Sequence, residues 1–192
     1  MKLYNSIFLY IILILFQFGC QSESNITVYK IKKNTSLLTQ KNTDKINNPQ
    51  LSWVAPNHWI EKESKDFRLA SYNIPTSNGE IVDLSITIFP GDAGGIEQNV
   101  NRWRKQINLE SQNIETILKN AYKESSLLGK YFIFYLKNKT NGQSIIAAII
   151  PYSDNGQSIS ETIFIKMNGS VNVLQELKYE FELFCKSIHW LQ

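Results

Sequence analysis

Apolar and polar residues alternate in several short stretches after residue 51, and each of these stretches predicts a β-strand. The segments 67–74 and 80–89 alternate on either side of Ser77-Asn78-Gly79, which supplies the positive φ of a tight hairpin turn. Asn141-Gly142 and Asp154-Asn155-Gly156 predict two further turns between strands. The other predicted strands cover residues 122–128, 131–136, 144–152 and 160–167, with a last one within 188–191.

Two segments instead repeat apolar residues every three or four positions, and this spacing predicts amphipathic helices. The first helix carries Ile96, Val100, Trp103 and Ile107 on one side; the second spans 171–186 with Ser170 as its expected N-cap. A short helix is predicted around 114–120. The second helix has an apolar side of Val173 or Leu174, Leu177, Phe181, Phe184 and Ile188, and Cys185 falls on it as a small core residue rather than a reactive thiol.

The order of these elements predicts an α+β fold. Consecutive hairpins indicate an antiparallel meander, and two amphipathic helices far apart in the sequence need an apolar surface to cover. One antiparallel β-sheet flanked by helices satisfies both requirements. We therefore predict a single α+β domain over residues 51–192, with Trp59, Phe181 and Phe184 in its core.

The N-terminus predicts export. Lys2 precedes an apolar run from Ile7 to Phe16, which is the layout of a signal peptide over residues 1–19. The run is shorter than the roughly 20 apolar residues of a membrane-spanning helix. The Gly19-Cys20 pair resembles the bacterial lipobox, although Gln17 stands where Leu is usual. That resemblance implies acylation of Cys20 and attachment to the membrane through its lipid; a plain cleaved signal and a short anchor are the alternatives.

A polar tether is predicted between the anchor and the domain. Residues 20–50 are rich in Ser, Asn, Thr, Gln and Lys, and such a composition cannot build a core. Within it, residues 25–32 alternate and either join a sheet edge or stay an unpaired extended segment. No Asp follows Cys20, which favours the outer over the inner membrane. The expected location is the cell envelope, facing the periplasm.

Composition and charge narrow the class of function. The net charge of +3 comes from interspersed residues and does not predict nucleic-acid binding. His58 and His189 lack the spacing of metal ligands, and G-x-S-x-G is missing, so we predict no metal, no cofactor and no catalytic residue. A non-catalytic binding or assembly-accessory protein with an envelope partner is the expected function. An envelope enzyme or a small-ligand-binding protein is the alternative.

A candidate binding site lies where a glycine-rich loop, Gly91–Gly95, enters the first long helix. Such a loop can bind an anion through backbone N–H groups, or can be a tight strand-to-helix connection, which the negative charge of Asp92 favours. Asn is a poor helix former, so the Asn residues at the start of the helix segment Asn99–Gln106 require either a structural or a functional reason. The candidate binding residues are Asp92, Asn99, Asn101, Arg102 and Gln106.

Four motifs within residues 51–192 resemble those of known proteins. W-x-x-P-x-x-W from Trp53 to Trp59, a strand of FIKMNG type and F-x-x-F from Phe181 to Phe184 resemble the PsbP-like fold, which implies an α/β/α sandwich. The string N-V-N-R-W-R-x-Q at 99–106 resembles a family of uncharacterised bacterial lipoproteins. The PsbP-like resemblance implies binding and assembly roles, although a fold alone does not determine function.

Overall fold

The computed structural model of the chain describes residues 50–64 and 67–191. The signal peptide, Cys20, the tether and the segment 25–32 lie outside the described residues, so the corresponding expectations stay predictions. In chain order the described elements are β1 (Leu51–Ser52), β2 (Ile60–Lys62), β3 (Arg68–Pro75), β4 (Ile81–Pro90), α1 (Gly95–Gln106), α2 (Ile114–Lys119), β5 (Tyr122–Ser126), β6 (Gly129–Lys137), β7 (Gln143–Tyr152), β8 (Glu161–Ser170), α3 (Val171–Glu176), α4 (Lys178–Ser187) and β9 (His189–Trp190).

An antiparallel sheet with the strand order β2-β3-β4-β8-β7-β6-β5 forms the centre of the domain. The predicted hairpins β3–β4, β5–β6, β6–β7 and β7–β8 are confirmed. The predicted simple meander is wrong in one respect, because β8 lies between β4 and β7. The chain leaves β4 through α1 and α2 and begins β5 at the opposite edge. The strands then return one by one until β8 meets β4. Separately, β1 pairs with β9, with Leu51 opposite Trp190.

Helices cover the two faces of this sheet and create two cores, which confirms the α+β class and the sandwich. On one face, α3 and α4 pack on residues such as Leu84, Ile165 and Ile133, with Phe181 and Phe184 completely buried. On the other face, α1 and α2 pack on the half of the sheet made by β6, β7 and β8. The second core comprises Val100, Trp103, Ile107, Ile117, Phe134, Leu136, Ile145, Ala147, Ile149 and Phe164.

The C-terminal helix differs from the prediction in two details. It is interrupted at Leu177, although Leu177 N–H still donates to Val173 O at 3.1 Å, so both segments keep their apolar sides on the same sheet face. Ser170 precedes α3 but does not cap it with its side chain. Its N–H and Oγ each donate to the carboxylate of Glu80 at 2.7 Å. The hydroxyl that was expected to cap the helix therefore joins it to the β3–β4 hairpin.

The C-terminal end of α1 is fixed by a side chain from the β6–β7 turn. The buried Asn138 donates from Nδ2 to Ile107 O at 2.8 Å and to Asn108 O at 3.1 Å. Its Oδ1 accepts from Thr140 N–H at 2.9 Å within its own turn. Because both of its polar atoms are used, Asn138 sets the position of α1 relative to the sheet.

Candidate functional site

The glycine-rich loop is a tight connection between β4 and α1. Gly95 N–H donates to Asp92 O at 2.9 Å, and Gly94 N–H donates to Asp92 Oδ1 at 3.3 Å. Ala93 adopts a left-handed φ of 50° within this turn. The Asp92 carboxylate therefore accepts a hydrogen bond from a loop N–H group that would otherwise be free to bind an anion. This geometry favours the connection over the anion site among the two interpretations of the loop.

Asn99 is buried under the same loop, with 3% of its surface exposed. Its Nδ2 donates to Ala93 O at 3.0 Å and to Gly95 O at 2.6 Å. Its Oδ1 accepts from Nη2 of Arg102 at 2.7 Å. The Asn99 side chain therefore closes the loop and orients the exposed guanidinium of Arg102. These contacts offset the poor helix propensity of Asn.

Asn101 uses both of its amide atoms on the chain that follows α1. Its Nδ2 donates to Gln112 O at 2.8 Å, and its Oδ1 accepts from Gln112 N–H at 2.9 Å. This two-point contact imitates a pair of strand hydrogen bonds and fixes the segment that leads to α2. The Asn101 side chain is thus committed to the backbone of its own chain.

We expect Asn101→Ala to lower the free energy of unfolding by about 1–3 kcal/mol, because the substitution removes two partly buried hydrogen bonds. The better helix propensity of Ala offsets up to about 0.7 kcal/mol of that loss. Urea unfolding would measure the difference. The matched control is Gln98→Ala, an exposed position on the same helix. Equal unfolding midpoints for the two variants would show that the Asn101 contact does not stabilise the domain.

Strand pairing brings polar residues together on the half of the sheet that α1 and α2 leave uncovered. Ser71 lies opposite Ser85, and Ser85 lies opposite Lys166. Arg68 lies opposite Thr87, which lies opposite Phe164. Directly paired residues share a face of the sheet. These positions therefore form one polar floor that runs from β3 across β4 to β8.

A groove of about 280 Å³ lies between this floor and α1, and we call it the basic groove. It is small, at the lower end of the roughly 300–1,000 Å³ of typical ligand pockets. Its lining combines cations, small polar residues and aromatic rings: Arg68, Arg102, Lys166, Ser85, Thr87, Gln106, Phe67, Phe89, Trp103 and Phe164. Two of the five sequence-predicted site residues, Arg102 and Gln106, thus line this groove.

The charges around the basic groove are unbalanced. Lys62 Nζ and Arg68 Nη1 both contact the same oxygen of Asp83, Oδ1, at 2.6 and 3.0 Å. Lys166 Nζ instead donates to the amide Oε1 of Gln106 at 3.1 Å, and Arg102 contacts the amide of Asn99. Lys62 Nζ also donates to Oδ1 of Asn73 at 3.0 Å, so the cations of this region share one carboxylate and three neutral amides.

The pKa shifts of the two central groups follow from this arrangement. Partial burial lowers the pKa of Lys166, and the positive charges of Arg68 and Arg102 lower it further against the opposing effect of Asp83. For Asp83, burial raises the pKa, but the hydrogen bonds and the positive charges of Arg68 and Lys62 together outweigh burial and leave the pKa below its ordinary value. Asp83 is therefore ionised at neutral pH, and Lys166 lies in a positive electrostatic potential.

Sequence reasoning missed Arg68, Lys166 and Phe67, which complete the groove. Their signal was weak, because each is a single residue within or next to an alternating strand. Only the pairing of β4 with β8 brings Lys166 beside Ser85. Phe67 keeps 79% of its surface exposed and packs on Phe89 with ring centroids 6.4 Å apart. The sequence placed Phe67 at the start of the predicted strand 67–74, and its exposure is known only from the structure.

The two histidines lie apart from the groove. His58 Nε2 is 3.2 Å from Glu180 Oε2, on the face that α4 covers. His189 Nδ1 lies 2.8 Å from Ser187 O, next to the small β1–β9 sheet. Among the described residues, no group of three or more His, Cys, Asp and Glu residues is placed to hold a metal ion. No helix in the described ranges has both the length and the apolar character needed to span a membrane.

The chain is similar in structure to several solved proteins, at low sequence identity. A protein from Bacteroides thetaiotaomicron VPI-5482 is 12% identical with a TM-score of 0.39, over 74% of this chain and 45% of that one, so the match spans less than half of its length. Cyanobacterial PsbP (CyanoP) from Synechocystis sp. PCC 6803 is 14% identical with a TM-score of 0.45, over 80% and 99% of the two chains. LpqN, described as involved in cell envelope biogenesis of Mycobacterium tuberculosis, is 8% identical with a TM-score of 0.45, over 75% and 84%. No family model matches the chain. No curated protein matches it either.

Proposed function

We propose that this protein is a non-catalytic, lipid-anchored binding protein of the cell envelope, and that the basic groove binds its ligand. One observation carries the proposal: half of a sheet face is left uncovered by helices and is lined with cations that lack a matching number of carboxylates. A sheet face that served only as scaffold would be covered or evenly charged. Cations that are held in place and only partly neutralised by carboxylates favour the binding of an anion.

The hydrogen bonds around the groove support binding rather than catalysis. Arg102 is oriented by the buried Asn99, and Lys166 by Gln106, at 2.7 and 3.1 Å. Both cations are therefore prepositioned, which lowers the entropy lost when a ligand binds. These hydrogen bonds support a ligand site at Arg102 and Gln106 of α1 more than one at the Gly91–Gly95 loop.

The predicted lipid anchor on Cys20 complements this role. A domain attached to the membrane through its N-terminus, with a tether of about 30 residues, can reach ligands within a limited distance of that membrane. The proposed partners are accordingly components of the envelope: the membrane itself through the lipid, and an anionic ligand through the groove.

Calorimetric titration with benzenesulfonate tests the groove. This probe carries a single negative charge on a ring, and the full chain would be used in a nonionic detergent. We expect saturable binding that Arg102→Gln and Lys166→Gln each weaken by about tenfold, the equivalent of roughly 1.4 kcal/mol. Lys105→Gln removes an exposed positive charge from the same helix and should leave binding unchanged. If all three variants change the affinity for benzenesulfonate equally, or if no saturable binding is measured, the groove is rejected as the binding site.

A further inference from the structure

We infer that the basic groove binds a phosphate monoester carried on a ring-shaped or apolar body. This assignment rests on the proposed function and adds the chemical class of the ligand. Three features of the groove lead to it: the number of surplus positive charges, the kinds of cation, and the row of aromatic rings beside them.

The surplus of charge calls for more than one negative charge on the ligand. Arg68, Arg102 and Lys166 line the groove, and beside it the Asp83 carboxylate contacts Arg68. Even when the charge of Asp83 is subtracted in full, two positive charges remain to be balanced. A carboxylate or sulfonate supplies one negative charge, whereas a phosphate monoester supplies about 1.5 to 2 at neutral pH. The dianion matches the surplus better.

The kinds of cation fit the oxygens of a phosphate group. Arg68 and Arg102 present planar guanidinium groups that can contact two oxygens at once, and Lys166 is a compact point charge. Ser85 and Thr87 add hydroxyl groups on the floor between them. A tetrahedral group with three terminal oxygens can contact donors from the helix, the floor and β3 together.

The aromatic rings indicate what carries the phosphate. Phe67, Phe89 and Phe164 form a row with successive ring centroids 6.4 and 6.0 Å apart. Trp103 closes the row at 6.0 Å from Phe164. Phe67 exposes most of its ring beside the cations. Phe164 and Trp103 are themselves buried, so the apolar surface that a ligand could cover is that of Phe67 and the half-buried Phe89. Free phosphate would leave this surface in water, whereas a phosphorylated ring would cover it.

The test compares phenyl phosphate with benzenesulfonate on the full chain in a nonionic detergent. The two probes share a ring and a tetrahedral group with three terminal oxygens; they differ in charge and in the ester oxygen that joins phosphorus to the ring. At about pH 7.5 we expect phenyl phosphate to bind about tenfold more tightly. At about pH 5 the phosphate is mostly a monoanion, because its second pKa is near 6, so the difference should disappear.

The groups that face the groove do not obscure this pH dependence. Arg68, Arg102 and Lys166 line it from β3, α1 and β8, and Asp83 and Lys62 lie beside it on β4 and β2, in contact with each other. Burial raises the pKa of Asp83, but the hydrogen bonds and positive charges of Arg68 and Lys62 together hold that pKa below its ordinary value, so Asp83 is ionised at both pH values. Benzenesulfonate, whose charge is constant over this range, reports any change in the protein itself.

A gain of affinity provides a second readout that does not depend on removing a cation. Asp83→Asn retains an oxygen that can accept from Lys62 and Arg68 but removes the negative charge. It should strengthen phenyl phosphate binding several-fold, and more than it strengthens benzenesulfonate binding. The matched control is Asp154→Asn, which removes an exposed carboxylate from the β7–β8 turn and should change neither affinity.

The outcomes separate the two proposals. If both probes bind equally at each pH and Arg102→Gln weakens both, the groove binds anions but the phosphate assignment is overturned. If neither probe binds, the proposed function is rejected as well.

Competition with phenyl phosphate identifies the source of the phosphate. Glucose 1-phosphate and dihexanoyl phosphatidic acid are the two competitors, because they carry the same phosphate monoester on a sugar and on a lipid. If either compound displaces phenyl phosphate, the phosphate assignment is supported, and the compound that binds more tightly of the two indicates a sugar or a lipid as the source. If neither compound displaces phenyl phosphate, the assignment is contradicted.

Discussion

Phe184→Ala is expected to lower the free energy of unfolding by about 3–5 kcal/mol, the range typical of truncating a buried Phe. Phe184 exposes 1% of its surface and lies at the centre of an aromatic cluster. Its ring centroid is 5.0 Å from that of Trp59, 6.2 Å from Tyr72 and 6.4 Å from Trp53. The substitution would therefore leave a cavity between α4, the sheet and the segment that follows β1.

That loss is large relative to the total stability of a single domain, which is about 5–15 kcal/mol. Urea unfolding with an unchanged slope would measure it as a shift of the midpoint. Leu183→Ala is the matched control, because Leu183 lies next to Phe184 on α4 with 49% of its surface exposed. Its cost should stay below about 1 kcal/mol. A similarly small cost for Phe184→Ala would mean that the aromatic cluster does not stabilise the fold.

Cys20→Ser is expected to abolish membrane attachment or to leave an unprocessed precursor. The prediction follows from the apolar run that ends at Gly19-Cys20 and from the chemistry of acylation, which requires the thiol. A single acyl chain binds a membrane only marginally, so stable attachment depends on at least two chains at that residue. Cell fractionation and the mobility of the protein in gels would measure both outcomes.

Cys185→Ala is the control for that experiment, since it removes the other cysteine of the chain. Cys185 is fully buried on α4, and burial raises the pKa of its thiol well above the ordinary value. We expect this variant to be processed and anchored normally. A processed, membrane-bound Cys20→Ser protein would disprove the lipid anchor.

Local sequence patterns predicted most of the elements because alternation, helical spacing and turn chemistry each depend on residues that are close in the sequence. Gly79, Gly142 and Gly156 adopt φ values of 83°, 74° and 71° at the three predicted turns. The spacing of Val100 and Trp103 on α1, and of Phe181 and Phe184 on α4, placed these residues in cores, and all four are buried. These features involve neighbours within a few positions, so a short window of sequence contains the information.

The candidate site could be predicted only in part. Arg102 and Gln106 were identified from the helix motif, and both line the basic groove. Asn99 and Asn101 were identified for the right reason, their poor helix propensity, but their side chains hydrogen-bond to backbone groups. Whether a helical Asn serves the backbone or a ligand depends on what lies opposite it. That neighbour is eleven positions away for Asn101, beyond the reach of a helical pattern.

By itself, the sequence determined the hairpins, the amphipathic helices, the buried residues and the α+β class, because these follow from alternation, helical spacing and turn chemistry. Only the tertiary structure decided that β8 pairs with β4, since alternation specifies which face of a strand is apolar but not which strand lies beside it. That pairing places Lys166 next to Ser85 and under α1, and so brings Arg68 from β3 and Arg102 from the helix to one groove. The charges were visible in the sequence, but their concentration on one uncovered half of the sheet is a consequence of long-range packing.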